Sequence, residues 1–509
     1  MNNPQPPWHE VNNLIPVGYE ALKEQFSLES MPHFRKSFVL LKGASHTSLE
    51  DHIEVYYYTK HYLPKNLLDP FAHIEFALKH EGVNLELFLA LFQVIDKNAL
   101  CVYIKSQPTS KIARKVWFLY EWLINEKLPL PDATGGSYTF LLDAKEYYTI
   151  KPVRSRRHYV YNNLLGNRYF CPLVRRTSKL KKWEEKKLSQ IANRLMNRYD
   201  QKVIVRAVNY LYVKETMSSY QIEHEKPDAS RAQKFITLLK RADTLGPLSK
   251  KILLELQNSI VDPRFADKDY RHFQNFIGTQ IRLDMLSQID YIAPKPGDVI
   301  SLMQGLLESL ETMCQAKVHP VVIAASIAFG FVFIHPFEDG NGRLHRFLIH
   351  YLFARQKFVP PHAIFPVSSV MLNNIKEYNA ILERFSKPLM QRIDYGSNKE
   401  GELDVKGSTD LFYRYIDYTS FAEYLFDCVD KTIQTDFKNE LNYLAHFDKA
   451  KLLLQEIVDM PDKKLVMFMQ CVIQNHGTLS KRKKEDHFSL LTEDEVSRME
   501  AIVKKYLCA

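Results

Sequence analysis

The sequence is poor in cysteine and has no long apolar run, and both absences narrow its class. Its 509 residues include six cysteines. None of them stands in a CxxC or other paired spacing, so neither a zinc site nor a disulfide framework is predicted. No stretch reaches eighteen apolar residues, and the first residues, Met-Asn-Asn-Pro-Gln-Pro-Pro, lack the basic and apolar regions of a secretion signal. We therefore expect a cytoplasmic chain with no membrane partner.

Internal repeats, long low-complexity tracts and a strong charge imbalance are absent as well. With 46% hydrophobic and 25% charged residues the composition is globular, and the length allows more than one core-bearing unit. The formal charge of +9 is modest, although basic residues cluster near 154–158, 175–182 and 481–484. Such clusters are more often solvated faces than nucleic-acid surfaces. A nucleic-acid partner therefore stays an open question.

The most informative stretch is residues 335–346, which read His-Pro-Phe-Glu-Asp-Gly-Asn-Gly-Arg-Leu-His-Arg. The almost wholly apolar run before it, 321–334, suits a buried core helix. After it, apolar residues recur at the i, i+3, i+4 and i+7 spacing of a helix with one stripe facing a core. The stretch is therefore predicted to be a loop that joins two packed helices.

The loop carries the features of an anion site. Its glycines permit a tight turn, which would place the N–H groups of Gly340, Asn341, Gly342 and Arg343 at the open N-terminus of the second helix. Unpaired amides and the helix dipole favour an anion at such a position. Arg343 and Arg346 are three residues apart, so their guanidinium groups can hold successive phosphates.

Two further groups in the loop suit nucleotide chemistry. His335 can accept a proton at neutral pH because the ordinary pKa of histidine is near 6.5. Asp339 offers a hard oxygen ligand, and Mg²⁺ on a nucleotide is usually held by one or two carboxylates together with the phosphates. These residue types indicate an enzyme that uses a nucleotide.

Residues 335–346 match every fixed position of the Fic (Fido) family signature, His-Pro-Phe-x-(Asp/Glu)-Gly-Asn-(Gly/Lys)-Arg-x-x-Arg, and the chain therefore resembles that family. The resemblance implies a mostly α fold: a helical Fic core with a small β-hairpin flap, flanked by helical N- and C-terminal regions. It also implies a protein adenylyltransferase that transfers AMP from ATP, with Mg²⁺, to a Ser, Thr or Tyr hydroxyl of a target protein or of itself. The implied roles are general base for His335, metal ligand for Asp339, and phosphate binding for Gly340, Asn341, Gly342, Arg343 and Arg346.

A second resemblance lies upstream, at Ser219-Tyr-Gln-Ile-Glu223-His224. It is similar to the inhibitory pattern (Ser/Thr)-x-x-x-Glu-(Gly/Asn) of some Fic proteins, although His224 departs from the usual Gly or Asn. The resemblance implies that Glu223 pairs with Arg346 and keeps the γ-phosphate from binding productively. The alternative is a solvated carboxylate at the end of a helix.

The predicted organisation has three parts. Residues 1–200 form a mostly helical scaffold or recognition region. Residues 205–395 form the Fic domain, with the inhibitory helix near 215–225, the flap near 270–296 and the catalytic loop at 335–346. Residues 396–509 are helical, and the turn at 475–480 followed by basic residues 481–484 makes a helix-turn-helix one interpretation.

The residues of the loop allow other functions as well. A metal hydrolase would use His335, Asp339, His345 and His350 as ligands, but it leaves the Gly-Asn-Gly turn and both arginines unexplained. A nucleotide-binding regulator with a C-terminal DNA-binding unit is a second alternative. Within the Fic class, a reversed nucleotide would give phosphate transfer, and the same site could remove AMP from a target. The target protein and its acceptor residue are not identified by the sequence.

Overall fold

Helices dominate the fold. The computed structural model describes residues 14–279, 288–397 and 403–508. Within them, the few strands form small sheets and hairpins. The prediction of a mostly helical fold with a small hairpin is thereby confirmed.

The N-terminal region combines helices with two small sheets. Its strands are β1 (Leu14–Val17), β2 (Arg35–Leu40), β3 (His46–Glu50), β4 (Ile53–Tyr58), β5 (Thr139–Phe140), β6 (Val153–Ser155) and β7 (Val160–Asn162). The first sheet has the order β1-β2-β4-β3, with β2 parallel to β4, and the second has the order β5-β7-β6. The helices are α1 (Tyr19–Phe26), α2 (Pro70–His80), α3 (Leu85–Val94), α4 (Lys97–Ser106), α5 (Lys111–Ile124) and α6 (Ser178–Lys186).

The middle of the chain is helical except for one hairpin. Its elements are α7 (Leu188–Met196), α8 (Gln201–Ile222), α9 (Ala229–Lys240), α10 (Lys250–Ile260), β8 (Phe276–Thr279), β9 (Gln288–Ile292), α11 (Pro296–Gln315), α12 (Pro320–Ile334) and α13 (Asn341–Arg355). The C-terminal part follows with α14 (Val367–Asn373), α15 (Ile375–Met390), β10 (Tyr395–Ser397), β11 (Leu403–Val405), α16 (Asp410–Arg414), α17 (Thr419–Thr432), α18 (Lys438–Gln455), α19 (Asp462–Gln474), α20 (Lys481–His487) and α21 (Glu493–Leu507).

The chain divides into two compact units, each built from separate stretches of sequence. The first takes in the chain as far as Lys182, together with Thr244–Gln356 and Ile375–Leu425. The second takes in Trp183–Asp243, Lys357–Asn374 and the chain from Phe426 onward. The boundaries predicted at residues 200, 205 and 395 stay a prediction.

Helix α12 lies at the core of the first unit. Its residues from Val321 to Ile334 are buried with the exception of Val332, which is half-buried, and α11 and α13 pack against it. The ring of Phe170 approaches α12 so closely that a Cβ at Gly330 would lie 2.6 Å from it. A glycine is required at that position because of this contact.

The second unit contains two groups of helices. Helix α8, whose N-cap Asp200 accepts a hydrogen bond from Lys202 N at 2.7 Å, packs against α9, α14 and α18. Helices α18, α19 and α21 enclose an apolar cluster that includes Leu465, Phe468 and Met499. Helix α21 opens with the capping box formed by Thr492 and Glu495 that the sequence predicts.

No single helix among the described residues is long and apolar enough to cross a membrane. Only the bent pair α3 and α4, which meet at 114°, reaches that length and composition when taken together.

Candidate active site

The signature motif forms a loop between two buried helices, as the sequence predicts. Helix α12 ends at Ile334, and His335 follows with a left-handed backbone (φ 52°). Helix α13 begins at Asn341, after Gly340 has also turned into the left-handed region (φ 83°). Unlike the predicted helix with one apolar stripe, α13 is buried on nearly every side, including Arg343 and Arg346.

His335 is held in one tautomer by its contact with the main chain. Its Nδ1 lies 3.1 Å from the carbonyl oxygen of Val332. A carbonyl only accepts hydrogen bonds, so the ring proton sits on Nδ1 and the lone pair is on Nε2. Burial lowers the pKa of His335 to about 4, an effect that its hydrogen bond to Val332 and the charge of Asp339 partly oppose. The imidazole is therefore neutral at physiological pH.

Gly340 and Asn341 fix the shape of the loop. The side-chain carbonyl of Asn341 accepts a hydrogen bond from Phe337 N at 3.1 Å, and its amide donates to Phe337 O at 2.8 Å. This bracing role is one that the sequence does not predict. A Cβ at Gly340 would lie 2.8 Å from Cγ1 of Val261, so both the backbone angle and the space require glycine.

Asp339 and Arg343 form an ion pair within the loop. Nη2 of Arg343 lies 2.9 and 3.0 Å from the two carboxylate oxygens of Asp339. The amide of Gly340 donates to Asp339 Oδ1 at 2.5 Å and is therefore already engaged. The main-chain donors of the predicted anion site are thus reduced to the amides of Asn341, Gly342 and Arg343, which lie in the first turn of α13.

Two residues from the chain before the flap support the loop from outside. The buried side chain of Gln257 donates to the carbonyl of Asp339 at 3.3 Å and to Oδ2 of Asp267 at 3.1 Å. The same carboxylate oxygen accepts the amide of Glu338 at 3.1 Å. The pKa of Asp267 is raised by burial and by the charges of Glu338 and Asp339. The sequence pattern predicts no role for Gln257 or Asp267, because only the fold brings them to the loop.

A hairpin lies beside the loop, at the predicted position of the flap. Strands β8 and β9 pair antiparallel with a register shift between Ile277 and Gly278. The hairpin contacts the loop region through Asn275, whose side-chain amide donates to Phe337 O at 3.3 Å, and through Tyr291, whose hydroxyl donates to Phe333 O. Residues 280–287 of the predicted flap lie outside the described residues.

Comparison with known proteins agrees with this geometry. Residues 247–353 match the Fic/DOC family. The protein adenylyltransferase Fic of Drosophila willistoni is 34% identical over 113 residues, which are 22% of this chain and 20% of that protein. Its counterpart in Drosophila melanogaster is 33% identical over 134 residues, 25% of this chain and 24% of that protein.

The family match covers both the hairpin and the loop described above. This part of the chain is similar to a Fic domain. The matched part spans only 20 to 24% of the length of these curated relatives. A Fic domain containing signaling protein from Bacteroides thetaiotaomicron covers 52% of this chain and 97% of its own at 18% identity, with a TM-score of 0.36. A Fic family protein from Desulfovibrio desulfuricans covers 64% and 84% at 16% identity, with a TM-score of 0.38.

The described part of residues 247–353 does not assemble the ligands of a transition-metal site. No group of three His, Cys, Asp or Glu side chains suited to a metal occurs in the parts of the chain that the structure describes. His345, one of the four ligands of the metal-hydrolase interpretation, is buried in α13, where its ring packs edge-on against Phe329 at 4.7 Å. Asp339 differs, because its side chain is 45% exposed. One accessible carboxylate beside the predicted anion site fits Mg²⁺, which takes its other ligands from phosphates and water.

The predicted inhibitory segment forms the end of α8, in the second unit. Glu223 caps the helix. His224 N donates to Gln221 O at 3.0 Å, and Glu225 N donates to Tyr220 O at 3.1 Å, which together form a Schellman motif. His224 accordingly adopts a left-handed backbone (φ 58°). The family pattern has Gly or Asn at this position, and both residues favour that conformation. His224 adopts the same conformation, so its departure from the pattern leaves the shape of the helix end unchanged.

Neighbouring residues hold this segment in place. The carboxylate of Glu215 accepts hydrogen bonds from the hydroxyl of Ser368 and from its amide, the latter at 2.9 Å. Ser219 is buried, and Glu223 is half-buried. Glu223 belongs to the second unit and the catalytic loop to the first, so the pairing of Glu223 with Arg346 stays a prediction.

Two of the basic clusters contain residues that bind carboxylates. At 154–158, Arg157 and His158 both bind Glu121, at 2.8 and 3.1 Å. At 481–484, Lys484 pairs with Glu493. The helix, glycine turn and capped basic helix predicted at 465–484 are formed by α19, a turn containing Gly477 and α20. The helix-turn-helix interpretation stays a prediction.

Proposed function

We propose that this chain is a protein adenylyltransferase that transfers AMP from ATP to a Ser, Thr or Tyr hydroxyl of a target protein, and that Glu223 restrains it. The observation that carries this proposal is the combination within one loop of a neutral histidine base and a helix N-terminus flanked by buried arginines. The names of the relatives that share the domain support the same activity.

The residues of the loop and of α13 have separate roles in the proposed reaction. Nε2 of His335 accepts the proton of the target hydroxyl while the hydroxyl oxygen bonds to the α-phosphorus. The bond from that phosphorus to the oxygen bridging to the β-phosphorus breaks, and pyrophosphate leaves. A positioned general base typically contributes about 10²–10⁴-fold in rate. Amides of the first turn of α13, with Arg343 and Arg346, stabilise charge on the phosphates.

Asp339 is the residue that would hold Mg²⁺. A bound Mg²⁺ supplies neutralisation of phosphate charge, as in other phosphoryl-transfer sites. Its binding competes with the ion pair between Asp339 and Arg343. The side chain of Arg343 is fully buried and that of Asp339 is 45% exposed, so a nucleotide that attracts Arg343 would leave an accessible carboxylate for the metal.

Restraint by Glu223 follows from charge and rigidity. A carboxylate that binds Arg346 removes the donor group intended for the γ-phosphate and repels the phosphate itself. The Schellman motif and the bond between Glu215 and Ser368 support this proposal, because they hold the helix end rather than leaving it free. Loss of the Glu223 carboxylate is expected to raise activity.

The test is the incorporation of label from α-labelled ATP with Mg²⁺ into protein. We expect little label in the parent chain, clear self-modification in Glu223→Gly, and none in the double variant Glu223→Gly, His335→Ala. His224→Gly is the matched control, since it adds a glycine to the same helix end, at a left-handed position, and keeps the carboxylate. It is expected to stay as inactive as the parent.

Other outcomes decide between the alternatives. Label that arrives only from γ-labelled ATP indicates phosphate transfer. Release of AMP from labelled Glu223→Gly protein on addition of unlabelled parent indicates that the parent removes AMP. If no variant takes up label from either position although ATP binds, the adenylyltransferase proposal is wrong. If parent and Glu223→Gly are equally active, the restraint by Glu223 is wrong.

A further inference from the structure

Arg271 is bound to the catalytic loop through its side chain and its main chain. Its side chain is almost completely buried, with 4% of the residue exposed. Nε donates to the carbonyl of His335 at 2.7 Å, and Nη2 lies 3.3 Å from the carbonyl of Ile334. The main-chain amide of Arg271 donates to Pro336 O at 2.8 Å. One residue therefore binds three consecutive carbonyls at the turn that carries the base.

The remaining donors of Arg271 reach both arms of the hairpin. Nη1 donates to the carbonyl of Phe273 at 2.8 Å, and Nη2 donates to that of Pro294 at 2.6 Å. Phe273 precedes β8 and Pro294 follows β9, so the two contacts lie at the base of the hairpin on either side. The guanidinium group thus joins the hairpin to the loop.

The chemistry of this contact is specific to arginine. Among the described residues no carboxylate pairs with Arg271, and its charge is met by four carbonyl oxygens. Burial lowers its pKa to about 10, so the group remains charged at neutral pH. A planar fork with five N–H donors can serve these four acceptors at once, whereas the ammonium of lysine has three donors at a single point.

The contact also acts on the geometry of the base. His335 has a left-handed backbone, which side chains rarely adopt. The bonds from Arg271 to the carbonyls on both sides of that residue fix the orientation of its two peptide groups. The ring of His335 is anchored separately through Nδ1 to Val332. With peptide and ring both fixed, the position of Nε2 is determined.

We propose that Arg271 is a positioning residue, which holds the base nitrogen of His335 at a fixed place relative to the hairpin. The inference rests on the proposed function, because it takes His335 as the base. It separates Arg271 from nucleotide binding, since the amides and arginines of α13 serve the phosphates. Loss of Arg271 is therefore expected to affect turnover rather than ATP affinity.

The kinetic test compares Arg271→Ala and Arg271→Lys in a Glu223→Gly background. A misplacement of about 1 Å at a reacting centre costs on the order of 10²-fold in rate, so we expect kcat to fall by about that factor in both variants. KM for ATP should change little. Arg264→Ala is the control, because Arg264 lies in the same stretch, is 81% exposed and pairs only with nearby Asp262 among described partners.

Chemical rescue distinguishes positioning from a general loss of structure. The cavity left in Arg271→Ala can admit a guanidinium ion, which restores the same donors to the same carbonyls. We expect added guanidinium chloride to raise the kcat of this variant, while an equal concentration of potassium chloride does not. The Arg264→Ala control should show no such gain.

A readout independent of activity completes the test. Hydrogen exchange in peptides that cover 273–279, 288–294 and 333–338 should be faster in both Arg271 variants, with exchange elsewhere in α11 and α13 unchanged. If the Glu223→Gly parent transfers no AMP, the proposed function fails while the exchange result still tests the contact. Arg271→Lys with parental kcat and parental exchange would overturn the inference.

Discussion

At the residue scale, the low pKa of His335 predicts an unusual pH dependence. The folded pKa of about 4 lies below the ordinary value of 6.5 because burial disfavours the charged ring. Below that folded pKa the base is protonated and inactive, and above it the base is ready. The acid limb of kcat/KM for AMP transfer by Glu223→Gly should therefore lie nearer pH 4 than pH 6.5, since kcat/KM reports the groups of the free enzyme.

The profile of kcat should differ in a defined direction. Bound triphosphate places negative charge near His335 and raises its pKa, so the acid limb of kcat should lie at higher pH than that of kcat/KM. An NMR titration of the histidine signal that is lost in His335→Ala gives the free-enzyme pKa directly. A midpoint at or above 6.5 in the free protein would contradict the burial argument.

Residues of the site differ in how far the sequence reveals them. His335, Asp339, Gly340 and Asn341 stand in one continuous motif, so residue types and spacing were enough to predict their loop. Arg271 and Gln257 carry no such signal, because their bonds go to main-chain carbonyls that any sequence provides. The motif identifies Asn341 as a site residue, but it does not reveal the hydrogen bonds between Asn341 and Phe337, because those bonds depend on the folded turn.

At the scale of elements, one buried interaction joins α8 to α14. The carboxylate of Glu215 binds both the amide and the hydroxyl of Ser368 in the first turn of α14. Hydrogen bonds to a charged group are worth roughly 1.5–3 kcal/mol. Glu215→Ala is therefore expected to lower the free energy of unfolding by about 3 kcal/mol, and Ser368→Ala by about 1.5 kcal/mol.

A double-mutant cycle measures this interaction. Because the two side chains share a hydrogen bond, the double variant should be less destabilised than the sum of the single variants, by about 1 kcal/mol or more. Denaturant unfolding of the four proteins gives the coupling energy. Additivity within about 0.5 kcal/mol would show that the bond does not stabilise the element.

Elements with strong local signals were predicted well. The apolar pattern predicts helices around 85–95 and 112–124, and α3 and α5 lie within one residue of these spans; α21 has the predicted capping box. The sheets of the N-terminal region were not predicted, although β4 reads Ile-Glu-Val-Tyr-Tyr-Tyr, which is rich in strand-forming types. Short strands such as β5 and β7 depend on partners distant in sequence, and periodicity over two or three residues cannot reveal them.

At the scale of the whole molecule, the division into units could not be predicted from the positions of glycine and proline along the sequence. Each unit combines stretches separated by long intervals of sequence, and the boundary near residue 182 falls inside helix α6. Glycine-rich segments such as 396–407 indicate turns, but a chain that leaves a unit and returns has no compositional break. Only the packing of distant helices defines the units.

The N-terminal part of the first unit also makes a prediction for the pH dependence of stability. Glu86 is buried in α3, and its carboxyl accepts a hydrogen bond from Met31 N at 2.6 Å. Burial raises its pKa to about 8, as it does for Glu81. The folded state therefore keeps protons that the unfolded state releases above pH 4.5, and the stabilising contribution of each group falls as pH rises from about 5 to 8.

Glu86→Gln removes this titration and keeps both the shape of the side chain and an oxygen that accepts from Met31. The variant should have nearly parental stability at pH 5 and should gain on the parent with rising pH, by at most about 1.4 kcal/mol per pH unit. Denaturant unfolding at pH 5, 6, 7 and 8 measures the difference. The control is Glu29→Gln, which removes an exposed carboxylate. A difference between Glu86→Gln and parent that stays constant from pH 5 to 8, or that matches the Glu29→Gln control, would show that the buried carboxyl is ionised in the folded protein.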